Sequence, residues 1–76
     1  MNTKEAVWNY EYTDTFGGEV NYSWIKRGEV SASSEKSAVR KIKKLLNLNG
    51  VQTRNERQGD TLALYPIGTC TVLFIF

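Results

Sequence analysis

Residues Trp8 to Trp24 read WNYEYTDTFGGEVNYSW. Even positions Trp8, Tyr10, Tyr12, Val20, Tyr22 and Trp24 are apolar or aromatic, whereas odd positions Asn9, Glu11, Thr13, Glu19, Asn21 and Ser23 are polar. Strand side chains alternate between the two faces of a sheet, so this period-two pattern predicts two half-buried strands. The aromatic face must be common to both strands, which requires even positions opposite even positions. A two-residue loop at Gly17-Gly18 pairs odd with even and fails that condition. A three-residue loop, Phe16-Gly17-Gly18, meets it. It pairs Tyr12 with Tyr22 and Tyr10 with Trp24, and Gly18 supplies the left-handed residue such loops need.

Downstream the apolar period changes. Ala38, Val39, Ile42, Leu45 and Leu46 follow helical spacing and form one stripe roughly 120° wide. Ser33 or Ser34 is placed to cap the N-terminus, and Glu35 suits the positive end of the helix dipole. Gly50 is the expected left-handed residue beyond the C-terminus. The last third reads as a meander. VQTRNER is a polar edge strand, Gln58-Gly59 a short turn, DTLALY a further strand, Pro66-Ile67-Gly68 a three-residue loop, and TCTVLFIF the final strand. That loop places Leu64 opposite Cys70 and Leu62 opposite Val72. The final strand is apolar on both faces, as a central strand should be.

The expected fold class is therefore α+β, a single domain over residues 1–76 with element order ββαβββ. If the last strand pairs with the first, the sheet is five-stranded and antiparallel, order 2-1-5-4-3. One amphipathic helix crosses a face, a right-handed crossover is available, and both edges are polar. The helix needs an apolar surface beneath it. Trp8, Tyr10, Tyr12, Tyr22, Trp24, Leu62, Leu64, Val72, Phe74 and Phe76 would provide one. Burial patterning favours this reading of the aromatic row, with Trp8 and Trp24 buried. The alternative is a platform on which single-stranded nucleic-acid bases stack.

The chain contains no His and one Cys, so neither an internal disulfide nor a metal site of conventional spacing is expected. Cys70 falls on the expected core face and reads as a small buried hydrophobe. The carboxylates Glu11, Asp14 and Glu19 form no recognisable acid–base pair. TFGGE lacks the Lys-Ser/Thr and the following helix of a phosphate loop. A non-enzyme without cofactor is expected. MNTKEAVW has no apolar signal region and no apolar run is long enough to span a membrane, which points to a reducing cytoplasm and discounts the NYS acceptor at Asn21.

Two surfaces are candidates for binding. Lys36, Arg40, Lys41, Lys43 and Lys44 occupy the helix opposite its apolar stripe, with Glu35 the only acid among them. Phosphates would be drawn there by charge and counterion release. Lys26, Arg27, Arg54 and Arg57 could extend the patch. The second surface is the sheet face away from the helix, expected to carry Val7, Ile25, Ala63, Tyr65, Leu73 and Ile75. An uncovered apolar patch usually marks a partner surface or a homodimer.

EYTDTFGGEVNYSWIKR, with the later GDTLALYPIGTCTVLFI, resembles small uncharacterised proteins carried by bacteriophages and mobile elements. The size and the single-helix sheet are similar to those of some anti-CRISPR proteins. That resemblance implies a compact inhibitor, acting in the host cytoplasm, that binds a host nucleoprotein and blocks nucleic-acid access. It transfers no functional residue. A small DNA- or RNA-binding domain using the basic helix face, and a self-associating accessory protein using the open sheet face, are the alternatives.

Overall fold

The computed structural model describes residues 5–76. Strands β1 (Ala6–Phe16) and β2 (Glu19–Ala32) form a long hairpin, followed by helix α1 (Glu35–Leu45), β3 (Thr53–Gln58), β4 (Thr61–Pro66) and β5 (Thr71–Ile75). The five strands make one antiparallel sheet, order β2-β1-β5-β4-β3, with β2 and β3 at its edges. Fold class and strand order are thus those the alternation and the two-faced apolar β5 imply. The hairpin outruns the shorter strands and makes the molecule elongated, 47 × 23 × 20 Å.

The details of pairing differ from expectation in both hairpins. The first closes on a two-residue turn, with Phe16 opposite Glu19 and Thr15 opposite Val20. Gly17 and Gly18 both take positive φ (63° and 85°), as a mirror-image type I turn requires. This pairing sets odd against even. The mismatch is corrected by a bulge further along. Asn21 to Trp24 on β2 lie opposite Asp14 alone, and beyond them Thr13 pairs with Ile25, Tyr12 with Lys26, Tyr10 with Gly28 and Trp8 with Val30. Tyr12 and Tyr10 therefore do not face Tyr22 and Trp24.

Asp14 holds the bulge together. Its carboxylate accepts from the Ser23 N–H (2.9 Å), the Ser23 hydroxyl (2.5 Å) and the Asn21 side-chain amide (2.9 Å). Tyr22, at the apex, has φ 54°, a left-handed conformation uncommon for a bulky residue. Thr13, the buried polar residue of the sheet, donates its hydroxyl to the Trp24 carbonyl at 2.5 Å. Trp24 stays 40% exposed, with its ring edge-on to Tyr12 at 5.3 Å between centroids.

In the second hairpin the loop is four residues long, Ile67 to Cys70, rather than three. Leu64 faces Leu73, Leu62 faces Ile75, and Ala63 faces Phe74. The even loop length inverts β5 relative to expectation. Leu73 and Ile75, expected on the open face, are buried in the core with Leu64 and Ile42. Val72, Phe74 and Phe76, expected in that core, belong to the opposite face. Cys70, expected to be buried, lies in the loop and is exposed. Likewise the β3–β4 turn is Gly59-Asp60, since Gln58 pairs with Thr61.

The core lies between α1 and the sheet. Trp8, Tyr10, Tyr12, Val30, Val39, Leu46 and Leu62 pack around Ile42, Leu64, Leu73 and Ile75. Tyr10 reaches across to β2 and lays its ring on Gly28, where an added Cβ would stand 2.5 Å from the Tyr10 hydroxyl oxygen. Only a glycine leaves room for the ring. Trp8 is half-buried, and its indole N–H donates to the Ala32 carbonyl at 3.1 Å, tying β1 to the entry of the helix.

Of the two candidate caps, Ser34 acts: its hydroxyl accepts from the Ser37 N–H at 3.2 Å. The helix ends earlier than Gly50. Asn47 takes the left-handed conformation (φ 58°), and the Leu48 and Asn47 amides donate to the Lys43 and Lys44 carbonyls at 2.7 and 3.3 Å. This is a Schellman closure, with Leu48 buried beyond it. Ala38 and Ile42 are fully buried, but Leu45, expected in the same stripe, is 60% exposed.

Candidate binding surfaces

The five cations of α1 do different things. Lys41 leans onto β2, where its ammonium donates to the Ser31 carbonyl (2.5 Å) and pairs with Glu5 (3.6 Å). Lys43 donates to the Val51 carbonyl at 3.0 Å, fastening the helix end to the segment that enters β3. Lys36, Arg40 and Lys44 are exposed and form no ion pair among the described residues. They stand at i, i+4 and i+8, so they line up as one ridge about 12 Å long.

The four outlying cations are divided by the sheet. Lys26 pairs with Tyr12 and so shares the helix side. Arg57 is also on that side but is engaged: its guanidinium forks onto the Glu35 carboxylate at 2.9 and 2.5 Å, tying the helix N-terminus to the far edge strand. The hydrogen bonds from Arg57 hold the Glu35 carboxyl below its usual range and raise the guanidinium in turn. Arg27 and Arg54 point to the other face, where Arg27 meets Glu11 at 3.2 Å and Arg54 meets Glu56 at 3.3 Å. Arg54 also lies over the Tyr65 ring, 4.4 Å from its centre. Neither can join the ridge on α1.

The helix-free sheet face has an apolar area of different composition from that expected. Leu73 and Ile75 are absent from it, Ala63 is fully covered, Val7 is exposed, and Ile25 and Tyr65 are half-buried. Its open part is a hollow of about 330 Å³ lined by Glu11, Tyr22, Gln58, Thr61, Phe74 and Phe76. Tyr22 belongs to it because of the bulge. Counting alternation alone assigns that ring to the core, and only the Asn21, Ser23 and Asp14 side chains, all able to bond locally, hint at the irregularity.

A second groove, of about 550 Å³, runs between α1 and β2 and is lined by Val30, Lys41, Lys44 and Leu45. The sequence reading missed it by treating Leu45 as core. The signal available was position, since Leu45 stands at the edge of the apolar stripe next to two lysines.

Among the described residues the strongest pKa displacement belongs to Asp14. The hydrogen bonds from Ser23 and Asn21 hold its carboxyl far below the ordinary carboxylate range. This carboxylate is fully occupied as a clasp. Among the described residues no group of His, Cys, Asp and Glu is arranged to hold a metal ion, and no helix is long and apolar enough to cross a membrane. No protein-family model, curated protein or solved structure matches the chain.

Proposed function

We propose that the protein is a non-catalytic binding protein that sets the Lys36–Arg40–Lys44 ridge against the phosphate-lined surface of a host nucleoprotein, as a phage-type, anti-CRISPR-like inhibitor would, in the host cytoplasm. The single observation that carries this reading is the ridge itself. Three cations stand in line on a helix whose other side is committed to the core, and no acidic side chain among the described residues neutralises them. A solvated helix face would more commonly alternate charges of opposite sign. The phage resemblance of the two hairpin segments supports the inhibitor form of the reading.

Affinity capture from bacterial lysate, with and without nuclease, tests it. Wild-type protein is expected to retain one protein–nucleic-acid complex, with capture falling steeply as salt is added. The R40E/K44E variant is expected to lose it while remaining folded, because exposed charges of this kind contribute only about 0–1 kcal/mol each to stability. Capture of nucleic acid alone would make the protein a small DNA- or RNA-binding domain. Equal capture by the charge-reversed variant would remove the ridge from the binding surface.

A further inference from the structure

We infer that the free edge of β2, together with the groove between β2 and α1, receives an extended acidic segment of a partner protein as an added strand. The inference goes beyond the cationic ridge, with which it shares Lys44 alone.

The hydrogen-bond directions come first. Asn9 exchanges both backbone bonds with Phe76 (2.7 and 2.9 Å), and the Thr15 N–H donates to the Cys70 carbonyl at 2.8 Å. Odd residues of β1 therefore turn their backbone groups toward β5, and even residues turn theirs toward β2. The bonded β1–β2 pairs are then Trp8 with Val30, Tyr10 with Gly28 and Tyr12 with Lys26. It follows that Ile25, Arg27, Glu29 and Ser31 present their N–H and C=O groups outward from the sheet. Lys41 takes the Ser31 carbonyl. Among the described residues, nothing takes those of Ile25, Arg27 and Glu29. This is a regular stretch of unpaired edge between the bulge and the helix.

Side chains then select the occupant. A strand laid on this edge sends alternate side chains to the helix side, where Val30 and the 60% exposed Leu45 floor the groove. Lys41 and Lys44 flank that floor, and Glu5, 3.6 Å from Lys41, is the acid paired there. The fitting segment carries an apolar residue for the floor and an acidic residue two positions to either side of it, so that backbone bonds give affinity and alternate side chains give selectivity. The lysines also repel the wrong partners, as edge lysines commonly do. A second copy of this chain fits worse. The β2–β2 register centred on Gly28 sets Arg27 opposite Glu29, but it also brings the partner's Lys26 across Val30 into the existing lysines.

The test uses the full chain, ¹⁵N-labelled, and a blocked heptapeptide Thr-Glu-Thr-Leu-Thr-Glu-Thr as probe. Titration is expected to give saturable shifts at the Ile25, Arg27, Glu29 and Leu45 amides and slower hydrogen exchange at the first three. The same peptide with Lys in place of Glu should not bind. R27P removes an outward N–H at an edge, where proline is tolerated, and should weaken binding at least tenfold. L45E, which alters only the groove, should do the same and serves if R27P does not fold. K36E/R40E should leave peptide affinity within twofold while abolishing capture of the nucleoprotein, so the two readings fail separately. The inference is overturned if the peptide produces no shifts at β2 up to millimolar concentration, or if both edge and groove variants bind it as wild type does. Concentration-dependent shifts of the β2 amides without peptide would assign the edge to a second copy and overturn it equally.

Discussion

The β1–β2 and β4–β5 hairpins handle the same problem in different places. Each must deliver a set of apolar side chains to the face beneath α1. In β4–β5 the adjustment sits in the loop: Ile67 to Cys70 are four residues, and the strands then pair without interruption as far as Leu62 and Ile75. In β1–β2 the turn is the tightest available and the adjustment sits inside β2, where Asn21 to Trp24 face Asp14 alone. A loop residue can be added with no partner to satisfy. A bulge in mid-strand leaves backbone groups without a ladder, and here side chains take two of them, Asp14 the Ser23 N–H and Thr13 the Trp24 carbonyl. The first hairpin thus gains an exposed apex, Tyr22, which the second lacks.

The sharpest way to break this comparison is at Leu73. In the observed register its side chain is fully buried beside Ile42 and Leu64, so L73K should abolish folding, and L73A should cost about 2–5 kcal/mol in denaturant unfolding. A folded, stable L73K would mean that β5 presents its other face to the helix. Next in size is Gly28. The ring of Tyr10 occupies the space of a Cβ, so G28A should cost about 1–3 kcal/mol, and a smaller side chain at position 10 should recover part of the loss. An unaffected melting temperature in G28A would place Tyr10 elsewhere and undo the register beyond the bulge.

The clasp gives a smaller effect that depends on pH. Asp14 has its folded-state pKa depressed below the ordinary 3.8, so its contribution is complete above that value and is lost as pH falls toward the folded pKa. D14N should therefore melt below wild type at neutral pH, and the gap should begin to narrow only below about pH 4 and keep narrowing with further acidification. A gap constant from pH 7 to pH 2 would show that the carboxylate charge does not hold the bulge. The smallest perturbation is chemical modification at Cys70. An exposed loop thiol should react with a disulfide reagent in native buffer nearly as fast as in denaturant, with no change in the far-ultraviolet spectrum. Strong protection would restore the three-residue loop, with Cys70 on the core face.

Element types and their order were legible because each rests on several residues. Alternation from Trp8 to Tyr12, helical spacing from Ala38 to Leu46 and the polar β3 all agree with one sheet and one helix. Facing was less legible, for two separate reasons. In β5 every residue from Val72 to Phe76 is apolar, so the pattern contains no parity, and loop length alone decides which side chains enter the core. In β2 the pattern is explicit but stops being periodic at Lys26, Arg27 and Gly28. There a glycine accepts the Tyr10 ring, a contact that hydrophobicity does not encode. The cationic ridge was legible as charge. Its division into the engaged Lys41 and Lys43 and the open Lys36, Arg40 and Lys44 depends on carbonyls of distant segments, Ser31 and Val51.

The place of β5 in the sheet has a consequence for the order of assembly. During synthesis the β1–β2 hairpin, the helix and the β3–β4 hairpin all emerge before β5. Neither hairpin shares a backbone ladder with the other, because β5 is the strand that joins β1 to β4. Leu73 and Ile75, on which the helix packs through Ile42, arrive with that same strand. Until then the helix has only the first hairpin's Trp8, Tyr10, Tyr12 and Val30 to pack on, and the β1–β5 pairing that brings the two hairpins together is the one of widest sequence separation, the kind that forms slowest. Completion of the core therefore waits for β5, the one short segment that lies between the two hairpins and closes the sheet.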